Sequence, residues 1–250
     1  MTTKVYEKGL RAESCVEHLL SSGCLSEYRE LILLPIPTTK DGIHLSGYDM
    51  ECMEAVLEAG HGTLVVGYGI PEDVGTFIIG SGGEYVDVML DERFLVANAE
   101  LTARAMLGIL LTEGERSVEE LRLGIVGYGR IGRALLRLLL FLGAKVRVFT
   151  TSELTERELG EMGIETFPSG DPEGLVGLDI LINTAPSQLI APEDIPLGLV
   201  IMELASGENF LGVKGVLRYP SLPQRLYPRT AGRLWAMSVE RLLEAKRGRG

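Results

Sequence analysis

Cysteine and histidine are scarce, three of each in 250 residues. Cys15, Cys24 and Cys52 are an odd number without metal-ligand spacing. That argues against a disulfide framework and a zinc site, and the thiols read as reduced, as in a cytoplasm. His18, His44 and His61 are scattered and make no metal cluster. Basic residues are outnumbered, 24 Lys and Arg against 35 Asp and Glu, and the net charge of −11 argues against nucleic acid or an anionic membrane as partner. No apolar run approaches the roughly 20 residues that cross a bilayer. Met1–Glu13 is charged and has no secretory h-region. There is no tandem repeat and no low-complexity segment. What remains, 46% hydrophobic and 24% charged, is the composition of a soluble globular protein with one large or two small domains.

One stretch organises the rest. Leu123-Gly-Ile-Val-Gly127-Tyr-Gly129-Arg-Ile-Gly132 joins a β-type run to a helical one, and Ala144–Thr150 supplies a second β-type run. Gly-x-Gly-x-x-Gly in that context is the dinucleotide-binding fingerprint. The first glycine permits a tight turn, the second lets backbone approach a pyrophosphate, and the third lets helix and strand pack closely. Ile131, Ala134, Leu135, Leu138, Leu139 and Leu142 recur at helical spacing as one buried face, and Gly143 stops the helix. The expected cofactor contacts are Gly127, Gly129, Arg130, Ile131 and Gly132, with the helix N-terminus facing the phosphates.

The ribose end leans towards NADP, with NAD as the other choice. An NAD site puts an acid after the second strand, whereas this chain has Thr150, Thr151 and Ser152, and its first acid is Glu153. Arg130 lies in the first helical turn, where a cation opposes the macrodipole unless an anion is present. No arginine follows the second strand. Arg133 and Arg137 read as a solvated helix face.

In chain order, residues 9–22 read as a helix and Glu30–Leu34 as a strand. The strand runs into Pro35–Gly42, which is either a ligand loop or a plain turn. Asp49–Glu58 reads as a helix, Thr63–Val66 as a strand before a second candidate loop, Gly67-Tyr68-Gly69, and Thr76–Leu90 as an interrupted β-like segment. Asn98–Leu111 is a long helical pattern, and Ser117–Glu120 fits a capping box. Glu153–Glu161 reads as a helix. Asp179–Asn183 and Leu199–Glu203 read as strands, and Gly215–Arg218 as a short last one. The loop after Asn183, with Thr184, Ala185, Pro186 and Ser187, is the kind that lies beside the cofactor in Rossmann dehydrogenases. Leu222–Arg233 reads as a loop before a final helix, and Lys246–Gly250 as a frayed tail. Alternating strands and helices predict an α/β protein with a Rossmann-type parallel sheet. The cofactor domain is expected over residues 116–220 and a connecting helix over 98–115. A smaller α/β domain is expected over 1–97, completed by a helix at 230–246.

The chain resembles the dipicolinate synthase A-subunit family, relatives of the D-2-hydroxyacid dehydrogenases. The matching stretches are Leu31–Thr39, Gly127–Gly132, Asp179–Pro186, Glu203–Ser206, Pro220–Pro223 and Pro228–Arg233, within a resemblance from about Tyr28 to Leu243. The resemblance implies NADP-dependent oxidation of a dihydropyridine dicarboxylate to dipicolinate during sporulation in the cytoplasm, with a flavoprotein-like B-subunit as partner. A homo-oligomer is also compatible with it. It places Thr38, Thr39, Asn98 and Arg229 near the substrate, Arg229 standing where the family has lysine. The chain departs from the family pattern in four places. Residues 1–27 look too short for the family's first βα unit. Thr151 replaces an arginine, Arg104 replaces an acid, and the loop after Ser206 is short.

Two other functions compete. A D-2-hydroxyacid dehydrogenase needs an arginine and a His–Glu pair, but Ser206 stands at the arginine's place and no histidine follows His61. A non-catalytic nucleotide-binding or partner protein would account for the lack of a clean general base. His44, Tyr68 and Glu203 are the candidate bases, each with a structural role as the simpler reading.

Overall fold

In a computed structural model of the chain, residues 1–186, 189–205, 209–210 and 212–248 are described. Ser187, Ser206, Arg249 and Gly250, all named above, lie outside them. The elements in chain order are β1 (Thr2–Val5), α1 (Leu10–Ser22), β2 (Glu30–Leu33), β3 (Thr63–Gly67), α2 (Glu72–Gly80), β4 (Glu84–Asp87), α3 (Glu92–Glu113), β5 (Arg122–Val126), α4 (Arg130–Phe141), β6 (Lys145–Thr150), α5 (Glu153–Glu161), β7 (Glu165–Pro168), β8 (Ile180–Asn183), β9 (Val200–Glu203), β10 (Leu217–Arg218), α6 (Leu222–Leu226) and α7 (Pro228–Arg247). They fall into two units, Met1–Asn98 with Tyr227–Gly250, and Ala99–Leu226. The fold class is α/β with parallel sheets.

The first unit holds a four-stranded parallel sheet in the order β1-β2-β3-β4. Leu31–Leu34 and Leu64–Val66 are continuous apolar runs, all buried, as expected of strands covered on both faces. One face packs Cys15, Leu19, Trp235 and Val239 of α1 and α7, and the other packs Cys52, Val56, Val74 and Ile78. A buried Glu7–Arg11 pair fixes the loop after β2: Arg11 donates to the Ile36 carbonyl and Glu7 accepts from the Ile36 N–H.

Several sequence expectations are corrected in this unit. Residues 1–27 do supply a βα unit, since β1 pairs parallel to β2 and leads to α1. Its polar edge strand Thr2-Thr3-Lys4-Val5 carries no apolar pattern to announce it. Asp49–Glu58 holds only a 3-10 turn at Glu54–Val56, because the N–H groups of Leu45 and Cys52 bond to Met50 and Ile43 across a tight excursion. Thr76–Gly80 is the end of α2, and only Glu84–Asp87 is strand. Glu72 and Asp73 favour a helix start there, and the buried Val74 and Ile78 lie four residues apart on one side while Ile79 is exposed, a helical spacing. The expected loop Leu222–Arg233 is α6 plus the start of α7, with Pro228 at the first turn. Lys246 and Arg247 do not fray: they are held by the Tyr85 carbonyl and by Glu27.

The second unit holds a six-stranded parallel sheet in the order β10-β9-β8-β5-β6-β7. Counted from β5, that is the Rossmann order 3-2-1-4-5-6, whose direction reverses between β5 and β8. The N–H groups of Gly143 and Ala144 bond back to the carbonyls of Leu140 and Leu139, so α4 ends in a Schellman motif with Gly143 at φ 76°. Ser117–Glu120 is no capping box: Val118–Glu120 is an isolated 3-10 turn, and the Ser117 hydroxyl donates to Glu119. Helix α3 begins at Glu92, earlier than the pattern from Asn98 suggests. At 22 residues it is long and apolar enough, by composition, to cross a membrane, although no unbroken apolar run announces it. Half of its apolar window is buried, and Met106, Ile109 and Leu110 belong to the core of the second unit.

Candidate dinucleotide site

The site is built at the C-terminal ends of β5 and β8, where the strand order reverses. Its three glycines meet different surroundings. Gly127 turns with φ 88°, and a Cβ there would meet Thr184 Oγ1 at 3.0 Å and Ala185 Cβ at 3.2 Å. A Cβ on Gly132 would lie 2.2 Å from the Gly127 carbonyl oxygen, so this glycine lets α4 lie against the turn. A Cβ on Gly129 would meet nothing within 4 Å. The protein itself does not require a glycine at 129; a ligand occupying that open space would. Helix α4 begins there with no side-chain cap and no acid in its first turn. Its first N–H groups, on Arg130, Ile131 and Gly132, have no partner within the helix, and they carry the positive end of the dipole. The cradle fits a pyrophosphate.

The loop after β8 is held firmly against this cradle. The Thr184 hydroxyl donates to the carbonyls of Val126 (2.9 Å) and Gly127 (3.1 Å). Asn183 is 1% exposed, and its amide reaches the Ala185 carbonyl at 3.0 Å and both oxygens of Glu203 at 3.0 and 3.1 Å. Its own oxygen accepts from the Ala185 N–H. Asn209 also donates to the Ala185 carbonyl, at 3.3 Å. Glu203, 3% exposed, accepts from the Ala205 N–H at 2.9 Å. Burial pushes the Glu203 carboxyl above the usual carboxylate range, against the pull of the Asn183, Ala205 and Asn209 donors. Pro186 is exposed at the end of the loop. The sequence named Asn183 and Glu203 separately. Asn209 it did not name, and no local pattern marks it, since the contact joins residues 24 apart.

At the ribose end, two of the three hydroxyls are already engaged. Thr150 is buried and accepts from the Ser152 N–H at 3.1 Å, and the Ser152 hydroxyl caps α5 through the Thr155 N–H. Thr151 is exposed, and among the described residues its hydroxyl has no hydrogen-bond partner. Arg133 and Arg137 are not simply solvated. Arg133 lies over the Tyr128 ring at 4.9 Å and donates to its carbonyl, and Arg137 pairs with Glu100 at 3.1 Å. Arg130 is exposed at the start of α4.

In the first unit, Thr38 is fully buried, and its hydroxyl donates to the Pro35 carbonyl and accepts from the Tyr68 N–H at 2.9 Å. Thr38 therefore shapes the loop through its hydroxyl. The half-buried Thr39 donates to Asp41 and accepts from the Gly42 N–H. Asn98 is half-buried on α3. Arg229 is exposed in the first turn of α7 and lines a cavity of about 340 Å³ with His18, Thr230 and Arg233. His44 donates through Nδ1 to the Asp41 carboxylate at 2.7 Å on an exposed turn, and this hydrogen bond raises the His44 pKa.

Comparison with known proteins follows the same lines. The NAD-binding domain of the D-isomer specific 2-hydroxyacid dehydrogenases matches residues 110–188, which span β5 to β8. The A-subunit of dipicolinate synthase from Bacillus subtilis (strain 168) is 29% identical over 170 residues, 62% of this chain and 57% of that protein. The match thus spans little more than half of the relative's length. These matches are consistent with a diverged relative of the dipicolinate synthase A-subunit. The corresponding protein from Bacillus halodurans shares the fold at a TM-score of 0.76, with 20% identity over 97% of each chain. The solved structure of the Bacillus subtilis relative gives 0.76 at 18% identity, covering 100% of this chain and 98% of that one. The apo form of D-lactate dehydrogenase from Escherichia coli gives 0.62 at 13% identity, covering 99% and 98%.

The match of residues 110–188 to an NAD-binding domain supports a nicotinamide cofactor for the second unit, and the chain shares the fold of these proteins. The glycine cradle agrees with it on independent, geometric grounds.

Proposed function

We propose that the chain is an NAD(P)-dependent oxidoreductase resembling the dipicolinate synthase A-subunit, oxidising a dihydropyridine dicarboxylate such as dihydrodipicolinate. The observation that carries this reading is the open space at Gly129 in front of the uncapped start of α4. A bound nicotinamide dinucleotide supplies a hydride acceptor, and loss of hydride and proton makes the substrate aromatic. The backbone of Gly127–Gly132 holds the pyrophosphate. The loop Asn183–Pro186, fixed by Thr184 and Glu203, sets one wall. Arg229 takes a carboxylate, a pairing that its guanidinium can make bidentately, with Asn98 and Thr39 as further contacts. A cytoplasmic location, a flavoprotein-like B-subunit and a homo-oligomer belong to the same proposal. The relative is by name one subunit of a synthase, which supports a partner. An absorbance assay with dihydrodipicolinate and NADP tests the reaction. Nucleotide binding without turnover would favour the non-catalytic reading. A D-2-hydroxyacid dehydrogenase is disfavoured, because no histidine follows His61 in this sequence.

Two expected results arise here. NADPH binds more tightly than NADH, by no more than about tenfold, or ~1.4 kcal/mol. The ceiling is low because Thr150 and Ser152 are engaged, which leaves the exposed Thr151 hydroxyl as the 2′-phosphate contact at the end of β6. Calorimetry showing a preference for NADH would refute it. Arg229→Ala weakens dipicolinate binding by roughly tenfold, the scale of one charge-assisted hydrogen bond, and leaves nucleotide affinity unchanged. Loss of both affinities together would mark a folding defect instead.

A further inference from the structure

Glu203 takes no part in the hydride or proton transfer proposed above, yet this is the most thoroughly buried carboxylate beside the site. It sits at the end of β9, 3% exposed, in a shell made of donors: the Asn183 amide, the Ala205 N–H and the Asn209 amide. Arg218 on β10 is the charged side chain whose field it feels among the described residues, and Arg218 in turn donates to the Asn209 carbonyl at 2.8 Å. Asn183 is the link outward. The same amide that binds Glu203 also holds the Ala185 carbonyl, and its oxygen holds the Ala185 N–H. A Cβ on Gly127 would touch Ala185, so this backbone forms the wall of the glycine turn itself.

We propose that Glu203 is a positioning residue for the dinucleotide: as an anion it orients Asn183 and Asn209, and through them it holds the Ala185 backbone in the conformation that receives the nucleotide. The inference rests on the nucleotide-binding reading above. Its physical basis is the donor count. An ionised carboxylate accepts from the groups around it, whereas a protonated one brings an O–H into a shell that, among the described residues, is made of donors. One hydrogen bond from Asn183 or Asn209 must then be given up, and a buried amide left unmatched is costly. Burial already lifts the Glu203 carboxyl above the ordinary range, so acidification reaches it early.

The setting makes the effect readable. Residues 99–226 contain no histidine and no cysteine, so the second unit has no side chain of ordinary pKa that titrates between about pH 5 and 8. Stability and affinity also move in opposite directions. A carboxyl whose pKa is raised in the fold contributes stability that is full at low pH and is lost as pH rises through the folded pKa. Acidification therefore favours the fold through Glu203 while it loosens the loop. A purely structural role would make affinity follow stability.

The test is calorimetric titration of the full chain with NADH, which has no 2′-phosphate to titrate, from pH 8 down to pH 5. The wild type is expected to bind progressively more weakly towards the acid end, reaching a loss of about tenfold once Glu203 is protonated, the equivalent of roughly one hydrogen bond to a charged group. Glu203→Gln is expected to bind about tenfold more weakly at pH 8 already and to show no further change on acidification. A pH-independent wild type, tighter binding at low pH, or the same pH profile in the variant would overturn the proposal. The wild-type profile alone suffices for this if Glu203→Gln does not fold. No binding of NADH or NADPH at any pH would remove the nucleotide reading and this inference with it.

Discussion

A Gly129→Val variant folds as the wild type does and no longer binds nucleotide. The expectation rests on two measurements on one residue. Among the described residues, beyond its chain neighbours, nothing lies within 4 Å of a Cβ at 129, so the added side chain meets no packed neighbour there. The backbone there, at φ −78° and ψ −163°, is extended and suits a β-branched residue. At this helix N-cap, valine in place of glycine costs about 1 kcal/mol at most, a small shift in melting temperature. The same open space is where a pyrophosphate would approach the N–H groups of α4. Three added carbon atoms fill it and hold the phosphates away from those donors. A loss of more than about a hundredfold in affinity is expected, or at least ~2.7 kcal/mol. Titration of NADPH fluorescence, with a thermal melt of the same sample, checks both halves. Equal affinity in variant and wild type would remove the glycine cradle as the binding site.

The sequence made the second unit far more legible than the first, and the reason is physical. The path from β5 through α4 to β6 is written in local signals: an apolar run, three spaced glycines, one apolar helical face and a stop at Gly143. Each has its cause within a few residues. The strands β8 and β9 are buried runs that read equally well. In the first unit, β1 has no apolar signature because it is an edge, and the segment around Asp49 owes its shape to hydrogen bonds across the excursion rather than to its own periodicity. Thr76–Ile79 has strand-type residues, but acids at the helix start and a one-sided burial decide for α2. At the candidate site, the glycine turn and the start of α4 could be located from spacing, whereas the partners of the side chains could not. Which hydroxyl of Thr150, Thr151 and Ser152 remains open, or that Thr38 is fully engaged, depends on partners that spacing does not encode. The Glu203 shell joins β8, β9 and the residue at 209, so only the assembled sheet shows that these groups are neighbours.

Gly132→Ala, a change of one methyl group, is expected to destabilise the chain by about 2 kcal/mol, although alanine is the better helix former. Two effects compete. Replacing a helical glycine by alanine favours the helix by about 1 kcal/mol. Against this, the new Cβ would lie 2.2 Å from the Gly127 oxygen and 3.2 Å from its carbonyl carbon. Those are backbone atoms of the turn, and the Gly127 oxygen also accepts from the Thr184 hydroxyl, so relief requires either moving α4 or breaking that bond. Overpacking of well-packed contacts costs typically about 1–3 kcal/mol, and a clash with backbone belongs at the upper end. The clash wins. The single tryptophan, Trp235, belongs to the first unit. Urea unfolding is therefore to be followed by far-ultraviolet circular dichroism, which registers the second unit as well. A variant as stable as the wild type, or more stable, would mean that α4 does not lie as close to the Gly127 turn as described. Taken with Gly129→Val, the pair separates two reasons for a glycine: at 132 the protein's own backbone excludes a side chain, and at 129 only a ligand does.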